Sequence, residues 1–319
     1  MTTVAQRPRI VVVGSIMVDL ITYADPLPRA GQTLRGSSFQ MGFGGKGANQ
    51  AVTAHRLGSD VTFVARVGQD VFGDLSIDSL SAQGMDTGMV KTIEGSTTGV
   101  APIWVQNDGT NRIIVVPGAN DALTAEAVAD ELARVEHADC IVCQLEIPEA
   151  AVAAALTIGA DLGAVRILNP APAPESRAAT KLFASSDWVV PNEHEFELLW
   201  GSKPTDSEIV AASESWGCGV IVTLGAEGAA AVVDGEVVRR RPPDVQVTDT
   251  TGAGDAFVGG LAYALGCRMD VVTAIELGNI CGALSTEALG TQASFPTRGA
   301  VERLSRRRDD SIPSDLERR

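Results

Sequence analysis

The stretch Asp249-Thr250-Thr251-Gly252-Ala253-Gly254-Asp255 combines a glycine-rich turn with a carboxylate and leads into an apolar helix predicted over Asp255–Leu265. The glycines allow a sharp turn and leave backbone N–H groups uncovered. Together with the positive end of the helix dipole, these groups form a site for anions. Asp255 would lie at that site, where a carboxylate can accept a proton from a hydroxyl that attacks a phosphate. The alternative is that Asp255 only stabilises the start of the helix, and the turn alone does not decide between the two.

Polar or glycine residues follow the ends of several predicted strands. They are Gly14-Ser15 after Ile10–Val13, Glu146 after Cys140–Leu145, Asn169 after Val165–Leu168, Asn192 after Trp188–Val190, and Gly225 after Val220–Leu224. In open α/β sheets, ligands bind beyond the carboxyl ends of the strands. The sequence therefore predicts one long active-site edge.

Strands and helices alternate along most of the chain, which is typical of a mostly parallel sheet with right-handed crossovers. Two β-rich segments, about 22–41 and 92–117, interrupt this alternation, and Asp108-Gly109 in the second predicts a hairpin. We therefore expect a three-layer α/β fold, in which helices cover a central sheet and the two segments form a small β-sheet lid. Residues 1–303 are expected to form a single domain and residues 304–319 a flexible C-terminal tail.

The formal net charge of −15 over 319 residues argues against nucleic acid and anionic membranes as partners. A small anionic ligand stays compatible with this charge, because a local nest of N–H groups can bind phosphate. The polar start Met1–Pro8 does not look like a signal peptide, and no apolar run reaches the roughly 18 residues of a membrane-spanning helix. The five scattered cysteines do not indicate a disulfide framework. We expect a cytoplasmic protein.

Two short motifs indicate other chemistry more weakly. Gly42–Gly47 matches the dinucleotide pattern G-x-G-x-x-G, but it follows a proline- and glycine-rich β section instead of the first strand, so an oxidoreductase is a weak alternative. Lys46 is followed by Gly47 and not by Ser or Thr, which excludes a P-loop. Cys140-Ile141-Val142-Cys143 lies within an apolar strand, which favours buried thiols over a redox pair.

Several motifs together resemble the ribokinase-like (phosphofructokinase-B type) sugar kinases. They are Gly44-Gly45-Lys46-Gly47-Ala48-Asn49-Gln50-Ala51, Gln144-Leu145-Glu146, Pro191-Asn192-Glu193-His194-Glu195, Thr223-Leu224-Gly225-Ala226-Glu227-Gly228 and the turn that ends at Asp255. Their order and spacing cover the chain from about Ile10 to Pro296. The resemblance implies the ribokinase-like fold, with the two β-rich segments as its lid. It also implies ATP-dependent phosphorylation of D-ribose at the 5-hydroxyl, which gives D-ribose 5-phosphate and ADP.

The resemblance further implies a role for individual residues. Asp255 would be the catalytic base, and the N–H groups of Gly252, Ala253 and Gly254 would form the anion hole for the transferred phosphoryl group. This division suits phosphoryl transfer, which needs positioning and charge stabilisation more than covalent chemistry. The residues implied to surround the sugar are Met17, Asp19, Gly45, Lys46, Asn49 and Glu146. Met17 stands where some members have a sugar-contacting Asn, so we expect one hydroxyl contact to be lost or replaced.

ATP, Mg²⁺ and K⁺ are the cofactors implied. Asn192 and Glu195 would organise Mg²⁺ and phosphate, and Asn279 would contact adenine. The nucleotide loop would comprise Thr223, Leu224, Gly225, Ala226, Glu227 and Gly228. The monovalent cation would lie among Asp249, Thr251, Ser285, Ala288, Gly290 and Ser294, held mostly by backbone carbonyls. Because the lid of ribokinase-like proteins also forms their dimer contact, a homodimer is expected.

Two alternatives stay open. The first is a kinase of the same family that acts on fructose, deoxyribose or a nucleoside such as adenosine. Lys46 favours a ribose kinase, because many fructokinase-like members have Gly-Gly-Ala at this place. The second alternative is a sugar-sensing protein without catalysis, against which the presence of both Asp255 and Lys46 argues.

Overall fold

The β-branched run Ile10–Val13 forms an inner strand of a large sheet. In the computed structural model, which describes residues 7–173 and 177–307, β1 (Arg9–Val13) lies between β4 (Asp60–Gly68) and β8 (Cys140–Gln144) and runs parallel to both. The four residues of the run are at most 1% exposed. A strand that is buried on both faces requires a packed layer on each side of the sheet.

Six further strands complete the large sheet: β5 (Val90–Ile93), β9 (Val165–Asn169), β10 (Trp188–Val189), β11 (Gly219–Thr223), β12 (Ala229–Val233) and β13 (Glu236–Arg240). The nine strands follow the order β13-β12-β11-β10-β9-β8-β1-β4-β5. Neighbours are parallel from β11 to β5, and only β12 and β13 are added antiparallel at one edge. The carboxyl ends of the parallel strands therefore meet at one edge of the sheet.

Helices cover both faces of this sheet. Ile10 and Val12 belong to a core shared with α1 (Lys46–Leu57), α2 (Val71–Ala82), α7 (Ala253–Gly266), α8 (Val271–Ser285) and α9 (Arg298–Arg307). Val11 and Val13 belong to the opposite core, shared with α3 (Ala125–Leu132), α4 (Glu149–Asp161), α5 (Glu193–Trp200) and α6 (Asp206–Trp216). Because successive side chains of a strand point to opposite faces, one apolar run supplies both cores. Short 3₁₀ segments span Gly118–Ala122, Arg177–Ser185 and Gly225–Glu227.

Among the described residues, four further strands form a second sheet, which is not hydrogen-bonded to the first. Its strands are β2 (Met17–Tyr23), β3 (Ser38–Gly44), β6 (Gly99–Val105) and β7 (Asn111–Ile113), in the order β3-β2-β6-β7. The α/β fold class with a small additional sheet is thus confirmed. The strand bounds differ from the expected segments 22–41 and 92–117, since β2 begins at Met17, β3 extends to Gly44, and residues 92–93 belong to β5 of the large sheet. The polar Asp19 breaks the apolar pattern of β2, which conceals the start of this strand in the sequence.

The structure describes only part of the C-terminal segment for which a flexible tail was predicted. Helix α9 continues to Arg307, so residues 304–307 are helical where a flexible tail was expected. Residues 308–319, the rest of that prediction, lie outside the described residues. Within the described ranges, no helix combines the length and apolar character needed to cross a membrane.

Candidate active site

The glycine-rich turn before α7 exposes backbone N–H groups, as the sequence predicts. Gly252 precedes the helix with a φ of 79°, a left-handed conformation that favours glycine. A Cβ at Gly254 would meet no atom within 4 Å, so this backbone is open. Among the described residues, the N–H groups of Gly252 and Gly254 have no hydrogen-bond partner. The N–H of Ala253 instead donates to the carbonyl of Thr250 at 3.2 Å, which differs from the expected set of three free donors.

The carboxylate of Asp255 is held by two amide side chains. Asp255 is 8% exposed. Its Oδ2 accepts a hydrogen bond from Asn49 Nδ2 at 2.8 Å, and its Oδ1 accepts one from Gln50 Nε2 at 3.2 Å. Asn49 was expected to contact the sugar, but in the structure its Oδ1 also accepts from Gln292 Nε2, at 3.4 Å. Both ends of the Asn49 amide are therefore engaged, and one end orients Asp255.

Close packing of α1 against α7 brings these groups together. A Cβ at Gly259, one turn beyond Asp255, would lie 2.5 Å from Thr53 Cβ and 2.8 Å from the carbonyl oxygen of Gln50. Real Cβ atoms do not approach other atoms so closely, so only glycine fits this contact. The small side chains that the sequence shows on α1 and α7 are thus the reason that Asn49 and Gln50 reach Asp255.

Glu146 lies against the first turn of α1. Its Oε2 accepts hydrogen bonds from the Ser15 hydroxyl at 2.5 Å and from the backbone N–H of Lys46 at 2.8 Å, while Ser15 Oγ accepts from the N–H of Gly47 at 3.3 Å. The unsatisfied N–H groups at the start of α1 are thereby paired with an acceptor and a negative charge. One carboxylate oxygen of Glu146, Oε1, stays available for a ligand.

Asp19 lies on the small sheet and faces the other two carboxylates. A Cβ at Gly44, on the neighbouring strand, would meet Asp19 Oδ2 at 2.6 Å, so the glycine makes room for this side chain. Burial raises the pKa of Asp19 to about 7, with further contributions from the negative charges of Glu146 and Asp255. Three carboxylates thus approach one another where the two sheets meet, and a group that donates hydrogen bonds would relieve their repulsion.

A cavity of about 170 Å³ lies beside Asp255. Its lining comprises Lys46, Asn169, Ala171, Val190, Asn192, Glu195, Thr223, Gly252, Gly254, Asp255 and Val258. Burial opposes the charge of Lys46, but the nearby carboxylates Asp255, Glu146 and Glu195 outweigh it and raise the pKa of Lys46. Lys46 therefore carries a positive charge into a cavity that also exposes the N–H of Gly254. The cavity suits an anionic group.

Asn192 and Glu195 form the start of α5. Glu195 N–H donates to Asn192 Oδ1 at 2.8 Å, and Asn192 N–H donates to Glu195 Oε2 at 2.9 Å, which is a reciprocal capping box. Burial raises the pKa of Glu195, and the hydrogen bond from Asn192 and the charge of Lys46 oppose this rise. The box leaves Glu195 Oε1 and the Asn192 amide nitrogen at the cavity. No group of three or more His, Cys, Asp or Glu residues suited to a metal occurs in the described part of the chain.

Among the proposed residues of the nucleotide loop, Thr223 lines the cavity. Thr223 lies at the end of β11 and forms a β-bridge with Asn192. The loop closes through Leu224 N–H, which donates to the carbonyl of Gly228 at 2.7 Å, while residues 225–227 are exposed. Asn279 is 4% exposed and donates from Nδ2 to the carbonyl of Arg240 at 2.8 Å. This hydrogen bond anchors Asn279 to β13 on the far side of the loop.

Asp249 connects two loops behind the α7 turn. Its Oδ1 accepts from the N–H and the hydroxyl of Thr251, at 2.9 and 2.7 Å, and its Oδ2 accepts from the N–H of Gly290 at 2.9 Å. Burial opposes ionisation of Asp249, but these hydrogen bonds outweigh it and lower its pKa. Ser294 belongs to the same loop and donates to the carbonyls of Gly290 and Thr291. Ser285 ends α8, where its hydroxyl donates to Gly282, and Ala288 is exposed between them.

Comparison with known proteins shows the family of this chain. A family model described as pfkB family carbohydrate kinase matches residues 7–298. The chain belongs to this family. It is 38% identical over 296 residues to a ribokinase of Mus musculus, which covers 90% of this chain and 91% of that protein. It is 39% identical over 295 residues to a deoxyribokinase of Salmonella typhi, which covers 90% and 95%. Its fold matches that of an Arabidopsis thaliana ribokinase complexed with ribose and ATP, with a TM-score of 0.84, 30% identity and coverage of 94% of this chain and 99% of that chain.

This pfkB-family sugar kinase contains site residues that the motifs did not reveal. Ser15 is buried and orients Glu146, while Gln50, Gln144 and Asn169 form a chain of amides next to Asp255. Their position after or at the end of a strand was a usable signal for Ser15 and Asn169. Asn120 is another such residue: its Nδ2 donates to the carbonyl of Ile16, and it lies 3.7 Å from Met17 Sδ. No sequence signal indicated Asn120.

The weaker motifs take structural roles. The Gly42–Gly47 segment links the end of β3 to the start of α1 and does not follow the first strand of the sheet. Cys140 and Cys143 are completely buried in β8, and burial raises the pKa of both thiols, that of Cys143 to about 12. All five cysteines are free. The buried thiols do not have the electropositive, accessible surroundings of a redox pair.

Proposed function

We propose that this sugar kinase transfers the γ-phosphoryl group of ATP to the 5-hydroxyl of D-ribose, giving D-ribose 5-phosphate and ADP. The observation that carries the proposal is the position of the Asp255 carboxylate at the start of α7. The side-chain amides of Asn49 and Gln50 hold it, and it lines the same cavity as Gly254 and Lys46. The ribokinase relatives, at 38% identity for the mouse protein, support ribose as the sugar.

Asp255 acts as the base that takes the proton from the attacking hydroxyl. The acceptor must lie within hydrogen-bond reach of that hydroxyl, and the carboxylate lines the cavity in which the phosphoryl group would lie. The free N–H groups of Gly252 and Gly254, the dipole of α7 and the Lys46 ammonium favour negative charge at the same place. Transfer then depends on positioning and on fixed positive charge, which these groups supply.

The sugar lies between the small sheet and the start of α1. Asp19 and Glu146 each present carboxylate oxygens there, which accept hydrogen bonds from sugar hydroxyls. Lys46 donates to the sugar or to the phosphoryl group from the cavity between them. Gly45 and Asn49 complete the wall of this sugar site. The backbone of Gly45 lies close to that of Met17, and Asn49 donates a hydrogen bond to Asp255.

ATP lies along the nucleotide loop at residues 223–228, with Asn279 near the base. Asn192 and Glu195 are the residues that would hold Mg²⁺, which supplies neutralisation of phosphate charge. The donor set fits that ion: it offers one uncommitted carboxylate oxygen at the cavity, and Mg²⁺ keeps several waters and binds through one or two carboxylates together with phosphates. The role of Asn192 and Glu195 in this chain is to fix those oxygens through their capping box.

An activating K⁺ is proposed behind the anion site. Asp249 is ionised and its hydrogen bonds hold the loops 249–251 and 285–294 together. Thr251, Ser285, Ala288, Gly290 and Ser294 lie on or next to these two loops. A charged carboxylate among loop carbonyls is the kind of oxygen environment that suits a hard cation. Such a cation would brace the turn that presents Gly252 and Gly254.

A homodimer through the small sheet and a cytoplasmic location are also proposed. Large apolar side chains are exposed on this sheet and the segment that follows it: Phe39 61%, Met41 42%, Ile113 53%, Ile114 55%, Val115 50% and Val116 44%. Several large exposed apolar side chains on one small sheet and its flanking segment favour a protein contact there. Free cysteines and the absence of disulfides among the described residues fit a reducing compartment.

A second candidate substrate is 2-deoxyribose. Met17 is 3% exposed at the start of β2, two residues before Asp19, and its thioether offers no strong hydrogen-bonding group. A side chain of this kind suits a sugar that lacks one hydroxyl. The deoxyribokinase relative, at 39% identity, favours the same candidate.

A panel of sugars tests the proposal. ADP release is measured with ribose, 2-deoxyribose, fructose and adenosine, and the highest kcat/KM is expected for ribose, with 2-deoxyribose as the second candidate. Asp255→Asn should lower kcat by orders of magnitude while sugar binding, measured by calorimetry, is largely kept. A clear preference for fructose or adenosine would contradict the substrate, and near-normal turnover of Asp255→Asn would contradict the mechanism.

A further inference from the structure

A chain of buried amides joins the ends of three strands to Asp255. Asn169 Nδ2, at the end of β9, donates to the carbonyl of Val190 at 2.8 Å. Gln50 Nε2 donates both to Asn169 Oδ1 at 3.0 Å and to Asp255 Oδ1 at 3.2 Å. Gln144 Nε2, at the end of β8, donates to Gln50 Oε1 at 2.6 Å. Gln50 and Gln144 are at most 1% exposed, and Asn169 is 7% exposed.

The backbone carbonyl of Val190 sets the direction of this chain. A carbonyl oxygen only accepts hydrogen bonds, so the NH₂ group of Asn169 must face it and the Asn169 oxygen must face Gln50. Gln50 must then turn its NH₂ group toward Asn169 and Asp255, and its oxygen toward Gln144. An amide that was free to flip would present either end to Asp255, but this one presents only a donor.

The fixed orientation of these amides leaves one polar atom of Gln144 unpaired. Gln144 Oε1 is buried and has no hydrogen-bond partner, and a Cβ at Gly14 would lie 2.1 Å from it. A buried acceptor without a partner destabilises a protein, and an apolar side chain here would avoid the loss. The sequence keeps glutamine at a place where packing alone does not require an amide, whereas the neighbouring Gly14 is also required by contact with the backbone of Gly47, 2.7 Å from a Cβ at that position.

We propose that Gln50 is a positioning residue of phosphoryl transfer, which fixes Oδ1 of Asp255 in the orientation that receives the proton of the sugar hydroxyl. The proposal rests on the function of Asp255 proposed above. Gln50 and Asn49 engage one oxygen each, so the carboxylate cannot rotate when the sugar hydroxyl arrives. Hydrogen bonds donated to a carboxylate favour its charged form, which is the form that accepts a proton.

The test is the pH dependence of kcat at saturating sugar and ATP for Gln50→Met, which keeps the length of the side chain but removes the donor. The acid limb of the profile should move to higher pH by about 1 to 2 units, the range expected for one hydrogen bond to a charged group. Gln144→Met is the matched control: it also removes a buried amide, but leaves the bonds from Asn169 to Val190 and from Gln50 to Asp255. Its acid limb should stay in place.

Two results would overturn the proposal: a uniform loss of kcat at every pH in Gln50→Met, or an equal shift of the limb in Gln144→Met. If Gln50→Met does not fold, Gln50→Glu keeps the shape and replaces the donor by a second carboxyl group, and its limb should move further in the same direction. The Asp255→Asn variant distinguishes a failure of the role proposed for Gln50 from a failure of the proposed function. An inactive Asp255→Asn together with an unmoved limb in the Gln50 variants refutes the role of Gln50 alone, whereas an active Asp255→Asn refutes the proposed function.

Discussion

Replacing Asp19 by Asn should stabilise the ligand-free protein at neutral pH and above. Asp19 is half-buried, and its burial and the charges of Glu146 and Asp255 raise its pKa from 3.8 to about 7. A raised pKa means that the folded state keeps this proton up to about pH 7, while the unfolded chain loses it near pH 3.8. The unfolded state binds fewer protons between these values, so the stability of the wild type falls with rising pH in this window and is constant above it. The Asp19→Asn variant has no such dependence, since an amide does not titrate.

The size of this change in the free energy of unfolding follows from the pH range between 3.8 and about 7 that an experiment can cover. From pH 5 to pH 7 the wild type should lose about 3 kcal/mol through Asp19, because each pH unit inside the window is worth about 1.4 kcal/mol. Residual contact with solvent reduces this to about 2 kcal/mol. The advantage of Asp19→Asn over the wild type should therefore be about 2 kcal/mol larger at pH 8 than at pH 5.

Urea unfolding of both proteins without sugar, at pH 5 and at pH 8, measures this difference. The comparison across pH cancels any constant effect of the new side chain. Asp270→Asn is the control: hydrogen bonds from Thr273 lower the pKa of Asp270 at the start of α8. Its stabilising effect is lost only below pH 3.8, so the cost of Asp270→Asn should be the same at both pH values. An Asp19→Asn effect that is equal at pH 5 and pH 8 would refute the reasoning about buried carboxylates.

Three further predictions concern substrate, cation and assembly. Met17→Asn should raise kcat/KM for ribose relative to 2-deoxyribose by about tenfold, the value of one hydrogen bond, and an unchanged ratio in the sugar assay would show that Met17 does not select the sugar. Turnover of the wild type should be lower in sodium than in potassium buffer, and Asp249→Ala should lose this difference; equal wild-type rates in both buffers would count against a potassium site. Ile113→Lys should convert a dimer into a monomer in light scattering, and a wild type that is already monomeric would contradict the contact.

The position of the site was predictable, but its internal hydrogen bonds were not. Glu146, Asn169 and Asn192 were recognised because they follow predicted strands, and parallel strands bring such residues to one edge. The amide chain through Gln50 and Gln144 depends on which way each side chain turns, and this is decided by contacts between residues far apart in sequence. A Gln in the middle of a helix and another within an apolar strand give no local sign of such a role.

The sequence did not indicate the hydrogen bonds that Asn49 and Ala253 make within the protein. Both lie within motifs, but a motif does not state the direction of a hydrogen bond. Asn49 turns its donor to Asp255 because close packing of α1 and α7 places that carboxylate beside it. The N–H of Ala253 donates to the carbonyl of Thr250, as often happens where a tight turn leads into a helix. Residue type was thus a good guide to location and a poor guide to pairing.

The glycines of this site serve two opposite physical needs, which one sequence pattern conceals. A Cβ at Gly45 or Gly47 would lie within 3 Å of backbone atoms of residues 14–17, so these glycines exist because α1 begins in contact with the connection between β1 and β2. A Cβ at Gly254 would touch nothing within 4 Å, so this glycine keeps an N–H group open to a ligand. The first pair therefore positions Lys46 and Glu146, whereas Gly254 leaves room for the anion site that we propose. The resemblance of residues 42–47 to a dinucleotide loop is explained by packing, and the proposed phosphate site lies at the turn before α7.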